Sequence, residues 1–219
     1  MTMIYFDNSA TTFPKPSIVY ETMDQVSRTM GVNAGRGGYC LANKAAELID
    51  ETRQLLANLA NISDYRKVVF TPSATVALNN VLFGIDFDHG DTVYFSPFEH
   101  NSVLRPLEVL KTRHNLNLIQ LPVDNISLKF NLEKIREMFQ TSTPRLVVVN
   151  HVSNVCGNIT PVKEITSLAH QVGGIVLVDG AQALGALPVD LNQLGCDYYV
   201  FAGHKNLYGP FGVGGIIIN

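Results

Sequence analysis

Residues 197–210 read DYYVFAGHKNLYGP, and the amine of Lys205 is the first group in the chain with the makings of a reagent. A short apolar run, Tyr198 to Phe201, gives way to Ala202, Gly203, His204 and Lys205. From Tyr198 to Asn219, Lys205 is the only Asp, Glu, Lys or Arg. A lysine at a strand end reaching for water is the ordinary reading of such a residue. An amine withheld from bulk water, so that it sheds its proton and attacks an electrophile, is the alternative. Other segments must supply partners before the second reading can stand.

Four segments offer them, each where an apolar run ends. In open parallel sheets, ligands sit outside the carboxyl ends of the strands, so polar residues there carry the most information. VVFTPSATV (68–76) runs from a strand into a turn of small residues and a helix start near Thr75. Free backbone N–H groups at such a start bind phosphate, although a plain Ser or Thr N-cap explains the same letters. FSPFEHNS (95–102) puts His100 between a strand and a helix. There it can stack on a planar ring or move a proton, or simply cap the helix. VVNHVSNVCG (148–157) ends a strand in Asn150, His151, Ser153 and Asn154, groups that orient a ligand or form a turn. IVLVDGAQALG (175–185) ends in Asp179, with Gln182 in the turn that follows. A carboxylate at that depth needs a cation or strong hydrogen bonds, unless it is a helix N-cap.

A phosphate cradle, a stacking ring, a buried carboxylate and a secluded lysine are together the parts that hold pyridoxal 5'-phosphate. The lysine forms the covalent link, and the aspartate keeps the pyridinium nitrogen protonated so that the ring accepts electrons. Other glycine-rich patterns do not compete. GRGGY (35–39) follows no strand and is no dinucleotide fingerprint, and the Lys205 loop lacks the GxxxxGK[ST] spacing. No HExxH or comparable metal-ligand spacing occurs.

The elements that must position these groups alternate. Pro14-Lys15-Pro16 opens a helix over 17–29, and a glycine-rich loop follows at 31–39. Residues 41–60 form an amphipathic helix with Ala45, Leu48, Ile49, Leu55, Leu56 and Leu59 near helical spacing. Strands are predicted at 68–71, 92–95, 116–120, 146–150 and 175–178, with helices at 75–83, 102–114, 132–140 and 162–172. VVF, LVVVN and GIVLVD are nearly continuous apolar runs, as strands buried on both faces should be. The alternation predicts an α/β fold, a mainly parallel sheet with helices on both faces.

Composition fits a large buried core: 46% of the 219 residues are hydrophobic and 16% charged. A net charge of −3 gives no electrostatic case for nucleic acid or an anionic membrane. No apolar run approaches the roughly 20 residues that span a bilayer, and the N-terminus does not read as a signal peptide. Cys40, Cys156 and Cys196 are widely spaced, which argues against a disulfide framework and fits a reducing cytoplasm.

The ordered set YFDNSATT, NAGRGG, FTPSATVALNN, FEHNSVLRP, VSNVCG, VLVDGAQ and FAGHKNLYGPFGVG resembles the class V aminotransferase family, and within it the cysteine desulfurase-like branch, over essentially the whole chain. The resemblance implies the large domain of a fold-type I pyridoxal phosphate enzyme, here residues 1–219. It also implies a homodimer with sites at the subunit interface. Carried over motif by motif, Lys205 would hold the cofactor covalently and take the substrate's alpha proton. His204, Ala74 and Thr75 would contact the phosphate. His100 would stack on the ring, and Asp179 would pair with its nitrogen. Gln182 would bond the phenolic oxygen, with Asn154 near that oxygen and the substrate carboxylate.

The implied activity is the conversion of cysteine to alanine with transfer of sulfur to an acceptor protein. A class V aminotransferase, a selenocysteine lyase and a non-catalytic cofactor-binding fragment are the alternatives. Three positions depart from the family pattern: Ala202 stands for a phosphate-binding serine, Val76 for a glutamate and Cys156 for a threonine. Family members continue past the lysine loop into a small C-terminal domain with a persulfide cysteine and a substrate-binding arginine. None of the three cysteines here matches that position, so the chain is expected to be truncated. GVGGIIIN (212–219) is accordingly expected to be a strand without its usual partner, exposing an apolar edge.

Overall fold

A computed structural model of the chain describes residues 4–219. Among these residues the helices are α1 (Ser17–Thr29), α2 (Cys40–Leu59), α3 (Ala74–Gly84), α4 (Asn101–His114), α5 (Leu132–Thr141), α6 (Val162–His170) and α7 (Leu191–Leu194). The strands are β1 (Val68–Thr71), β2 (Thr92–Phe95), β3 (Asn117–Gln120), β4 (Pro144–Asn150), β5 (Ile175–Asp179), β6 (Tyr198–Ala202) and β7 (Gly214–Ile218). They form one sheet in the order β1-β7-β6-β5-β4-β2-β3. Neighbours from β6 through β3 are parallel, and β7 is antiparallel to both β6 and β1.

Period-two alternation in the central strands divides the core. Leu146 and Val148 of β4, Leu177 of β5 and Val200 of β6 pack with Leu78 and Leu82 of α3 and Val103 and Leu107 of α4. Val147, Val149, Val176, Val178 and Tyr199 face the other way, onto Leu56 and Ala57 of α2, Phe139 of α5 and Ile165 of α6. Both faces are therefore covered, which is why these strands read as unbroken apolar runs. The fold is the expected α/β architecture, a mainly parallel sheet with helices on both faces.

Two expectations need correction. GVGGIIIN is not an open edge: β7 is paired along its length with β1 on one side and β6 on the other. Its residues Gly214, Gly215, Ile216 and Ile217 are buried. An antiparallel return strand found its partners within the chain, a pairing that the parallel pattern of the other strands did not suggest. The apolar stripe of α2 is also only partly internal, because it is wider than the face the sheet covers. Ala45, Leu56 and Ala57 are buried, while Leu55 and Leu59 are exposed beside Phe70, Leu207 and Val213.

β7 positions the start of α3 through Gly214. A Cβ there would lie 2.6 Å from both the Ala74 nitrogen and the Ser73 carbonyl carbon. Only glycine lets the strand run this close to the helix start. Gly214→Ala should cost about 1–3 kcal/mol by overpacking, read as a lower denaturant midpoint with an unchanged m-value.

Candidate active site

The polar residues singled out in the sequence converge on one cavity of about 230 Å³, at the carboxyl ends of the strands on the α3/α4 face. Ala74, Thr75, His100, Asn154, Asp179, Gln182, His204 and Lys205 all line it, together with Ser73, Ser102, Asn150, Val152, Ala181 and Ala202. Parity explains the choice. Asn150 continues the series Leu146, Val148, and Asp179 continues Leu177, so each points where its predecessors do. The two stand side by side in the parallel ladder. The cavity also opens where β4 lies on the opposite side of β2 from β3, the switch point at which such sheets bind ligands.

One end of the cavity is a helix start. Ser73 caps α3, its Oγ accepting the Val76 N–H at 3.2 Å, and Thr71 Oγ1 donates to the Ser73 carbonyl at 2.8 Å. The N–H groups of Ala74 and Thr75 open the helix and have no carbonyl one turn earlier, so this end is built to receive an anion. The N-cap reading is met by Ser73, and the two residues after it line the cavity with a helix start.

Asp179 lies further in, 8% exposed. Its Oδ1 accepts the Ala181 N–H at 3.0 Å in a turn rather than capping a helix. Burial pushes its carboxyl up; the Ala181 N–H, Lys205 and His100 pull the other way. Burial also pushes the half-buried Lys205 amine down, and the charge on Asp179 opposes this. Among the described residues no ion pair closes on Asp179. Lysine and carboxylate feel each other across the cavity without contact, which leaves both free to meet a ligand.

The two histidines play different parts. His100 is exposed and caps α4: Nδ1 accepts the Ser102 N–H at 3.1 Å and lies 2.8 Å from Ser102 Oγ. Its ring still borders the cavity, so capping and lining are compatible. His204 Nδ1 is 3.1 Å from Thr11 Oγ1. Burial lowers its pKa first, then the neighbouring cations Lys205 and Lys15. Gln182 Nε2 donates to the Ser9 carbonyl at 2.8 Å, tying the N-terminal arm to the rim. In VVNHVSNVCG the turn is made by Ser153, whose Oγ accepts from Val155 and Cys156, while Asn154 is left to the cavity. His151 turns to the opposite face and meets the Tyr199 hydroxyl at 2.9 Å.

Sequence reasoning passed over two features, and it offered Asn150 only within a string of candidates, although its parity with Leu146 and Val148 was legible. Glu99 is buried with Oε1 accepting the Asn150 N–H at 2.6 Å, and burial first, then Asp179, pushes its pKa well up. Nothing in FSPFEHNS marks that glutamate as internal. The contacts of Thr11, Thr12 and Lys15 with the lysine loop span almost the whole chain and have no local signal.

The family model for class-V aminotransferases matches residues 4–219. The chain belongs to that family. A probable cysteine desulfurase of Halalkalibacterium halodurans is 33% identical over 97% of this chain and 52% of its own length. The apo structure of a cysteine desulfurase from Thermococcus onnurineus NA1 is 33% identical with a TM-score of 0.91, covering 99% of this chain and 53% of that one. A variant of the protein C-DES, with glycine covalently linked to its PLP cofactor, is 29% identical with a TM-score of 0.83 over 98% of this chain and 56% of its own. This class-V chain therefore spans about half the length of the relatives it matches.

The electrostatics of the cavity can be tested without a ligand. With lysines reductively methylated using carbon-13, the Lys205 signal should titrate below those of exposed lysines. Asp179→Asn removes the anion that supports the ammonium, so the midpoint should fall further. A midpoint that rises in Asp179→Asn would contradict the geometry.

Proposed function

We propose that residues 1–219 are the cofactor-binding large domain of a pyridoxal 5'-phosphate enzyme of the cysteine desulfurase type. The supporting observation is that Lys205 and Asp179 line one cavity, unpaired, with a helix start completing it. The residues present fit the group. Asp179 is a buried carboxylate that lacks a cation and would gain one from a pyridinium nitrogen. The N–H groups of Ala74 and Thr75, with His204, suit a phosphate, and Gly214 keeps side-chain bulk away from that end. The His100 ring is available to stack on one face of the heterocycle, with Gln182 and Asn154 near its oxygen substituent.

When bound, the cofactor supplies an electron-accepting ring that makes the alpha proton of an amino acid removable. The chain's own residues do the rest. Lys205 would hold the group through Nζ, whose neutral form burial favours, and the same Nζ would serve as base for the alpha proton. Asp179 would hold a proton at the ring nitrogen by remaining anionic beside it, and His100 would lie over the ring. The reading of cysteine as substrate rests on the activity named for the relatives, since aminotransferases and selenocysteine lyases use the same cofactor residues. A sulfur-acceptor protein follows from that chemistry. A homodimer is supported by Phe83 and Val109, exposed beside the cavity mouth. No helix among the described residues is long and apolar enough to cross a membrane, and the free cysteines suit a cytoplasmic setting.

A second reading, cofactor binding without sulfur transfer, is favoured by one observation. Cys40, Cys156 and Cys196 are all outside the cavity lining, and the buried Cys196 thiol is pushed up to about 12. Sulfide release from cysteine and a reductant by the 219-residue chain would exclude it.

Lys205→Ala should abolish the absorption band of the lysine-bound cofactor; a surviving band would refute the covalent role. Ala202 lines the cavity where the family pattern has a serine hydroxyl. Ala202→Ser should restore a hydrogen bond to a charged group and tighten pyridoxal phosphate binding roughly ten- to a hundredfold, measured by titrating the same band.

A further inference from the structure

The lysine loop, residues 203–209, is held from outside by the N-terminal arm. Three donors fall on the His204 carbonyl: Thr11 Oγ1 at 3.0 Å, the Thr12 N–H at 3.2 Å and Lys15 Nζ at 3.0 Å. The next carbonyl, that of Lys205 itself, accepts from Thr12 Oγ1 at 2.7 Å. A carbonyl oxygen offers two lone pairs, so three donors on one oxygen exceed ordinary satisfaction. Lys15 Nζ also bonds the Thr12 carbonyl at 3.1 Å and sits 5.9 Å from the centre of the Phe211 ring. One ammonium thus joins the arm, the loop and the segment leading to β7.

Elsewhere the loop is tied at Gly203, whose N–H donates to the Val213 carbonyl and whose carbonyl accepts the Gly209 N–H, and at Asn206, whose Nδ2 donates to the Gln182 carbonyl. β6 ends at Ala202, and Lys205 lies in a turn closed by the Tyr208 N–H on the Lys205 carbonyl at 2.9 Å. The carbonyls of His204 and Lys205, on the residues that flank and carry the amine, are thus held by side chains 189 to 193 positions away. We propose that the N-terminal arm is a clamp energetically coupled to the cofactor site, with Thr12 and Lys15 acting as positioning residues for Lys205. This rests on the pyridoxal phosphate reading above. If the clamp is released, the loop samples arrangements in which the amine misses the cavity, and apparent affinity falls with the competent fraction. Coupling is reciprocal, so filling the cavity must in turn hold the arm.

The test compares the 219-residue chain with Thr12→Val, Thr12→Ser and Lys15→Met. Pyridoxal phosphate is titrated by the lysine-bound absorption band, and amide hydrogen exchange of residues 10–16 is followed with and without it. Thr12→Val and Lys15→Met should each weaken binding by about tenfold, the loss of one well-made hydrogen bond, and Thr12→Ser should stay within about twofold. The arm amides should exchange more slowly on cofactor addition in the wild type and in Thr12→Ser, and much less so in Thr12→Val.

Unchanged binding in Thr12→Val, or arm exchange in the wild type that ignores the cofactor, overturns the coupling. Should Thr12→Val fail to fold, Lys15→Met, which keeps most of the apolar stem, decides by the same two readouts. A wild-type chain with no lysine-bound band overturns the cofactor reading and the coupling with it. A wild-type band with indifferent variants overturns the coupling alone.

Discussion

A buried carboxylate without a cation is the group around which this molecule is organised. Asp179 ends the central strand β5 with one backbone N–H on its oxygen and no ion pair. Leaving a charge there is costly, and a protein keeps such a group only where something repays the desolvation. Lys205 and His100 contribute from a distance, and neither closes the gap. The geometry therefore asks for a cationic ligand of small size, and the anion-binding start of α3 at the same cavity asks for a negative group on that ligand. A zwitterionic heterocycle with a phosphate meets both demands at once. Glu99 sharpens the point. It is a second acid under the same floor, and burial together with the charge on Asp179 pushes its pKa well up.

Much of this could be read from the letters because parallel strands concentrate information at their ends. Lys205, Asp179, Asn154 and Gln182 each follow an apolar run, and a chain that alternates strands and helices must bring those ends to one rim. Asn150 was equally readable from its parity, but it was offered without a role of its own because the string Asn150, His151, Ser153, Asn154 invited treatment as a unit. The structure splits it: alternate side chains serve the cavity and the opposite core, where His151 meets Tyr199. Glu99 illustrates the opposite limit. A glutamate one residue before a helix N-cap looks solvated in sequence, and only the close approach of β4 makes it internal.

The N-terminal arm and β7 were less legible for a shared reason. Both act through partners far along the chain, and periodicity reports only local geometry. FDNSATT carries turn-forming and capping residues that any loop could use, yet here their hydroxyls are spent on the loop of the reactive lysine. GVGGIIIN reads as a strand without revealing its direction. Antiparallel pairing between β1 and β6 makes it an interior strand, and its glycines let the backbone pass under Phe201 and against the start of α3.

That arrangement orders events during synthesis. Among the described residues β1 stands at one side of the sheet with β7 as its single neighbouring strand. Translation delivers β1 early and β7 only after everything between them. While the nascent chain waits, β1 and the helix that springs from it have no ladder to join, so the anion-binding end is assembled after the central strands have paired. A contact of such long sequence separation is paid for in loop-closure entropy before it returns anything. The anion-binding end of the cavity is therefore made first and completed last, once β7 has paired with β1.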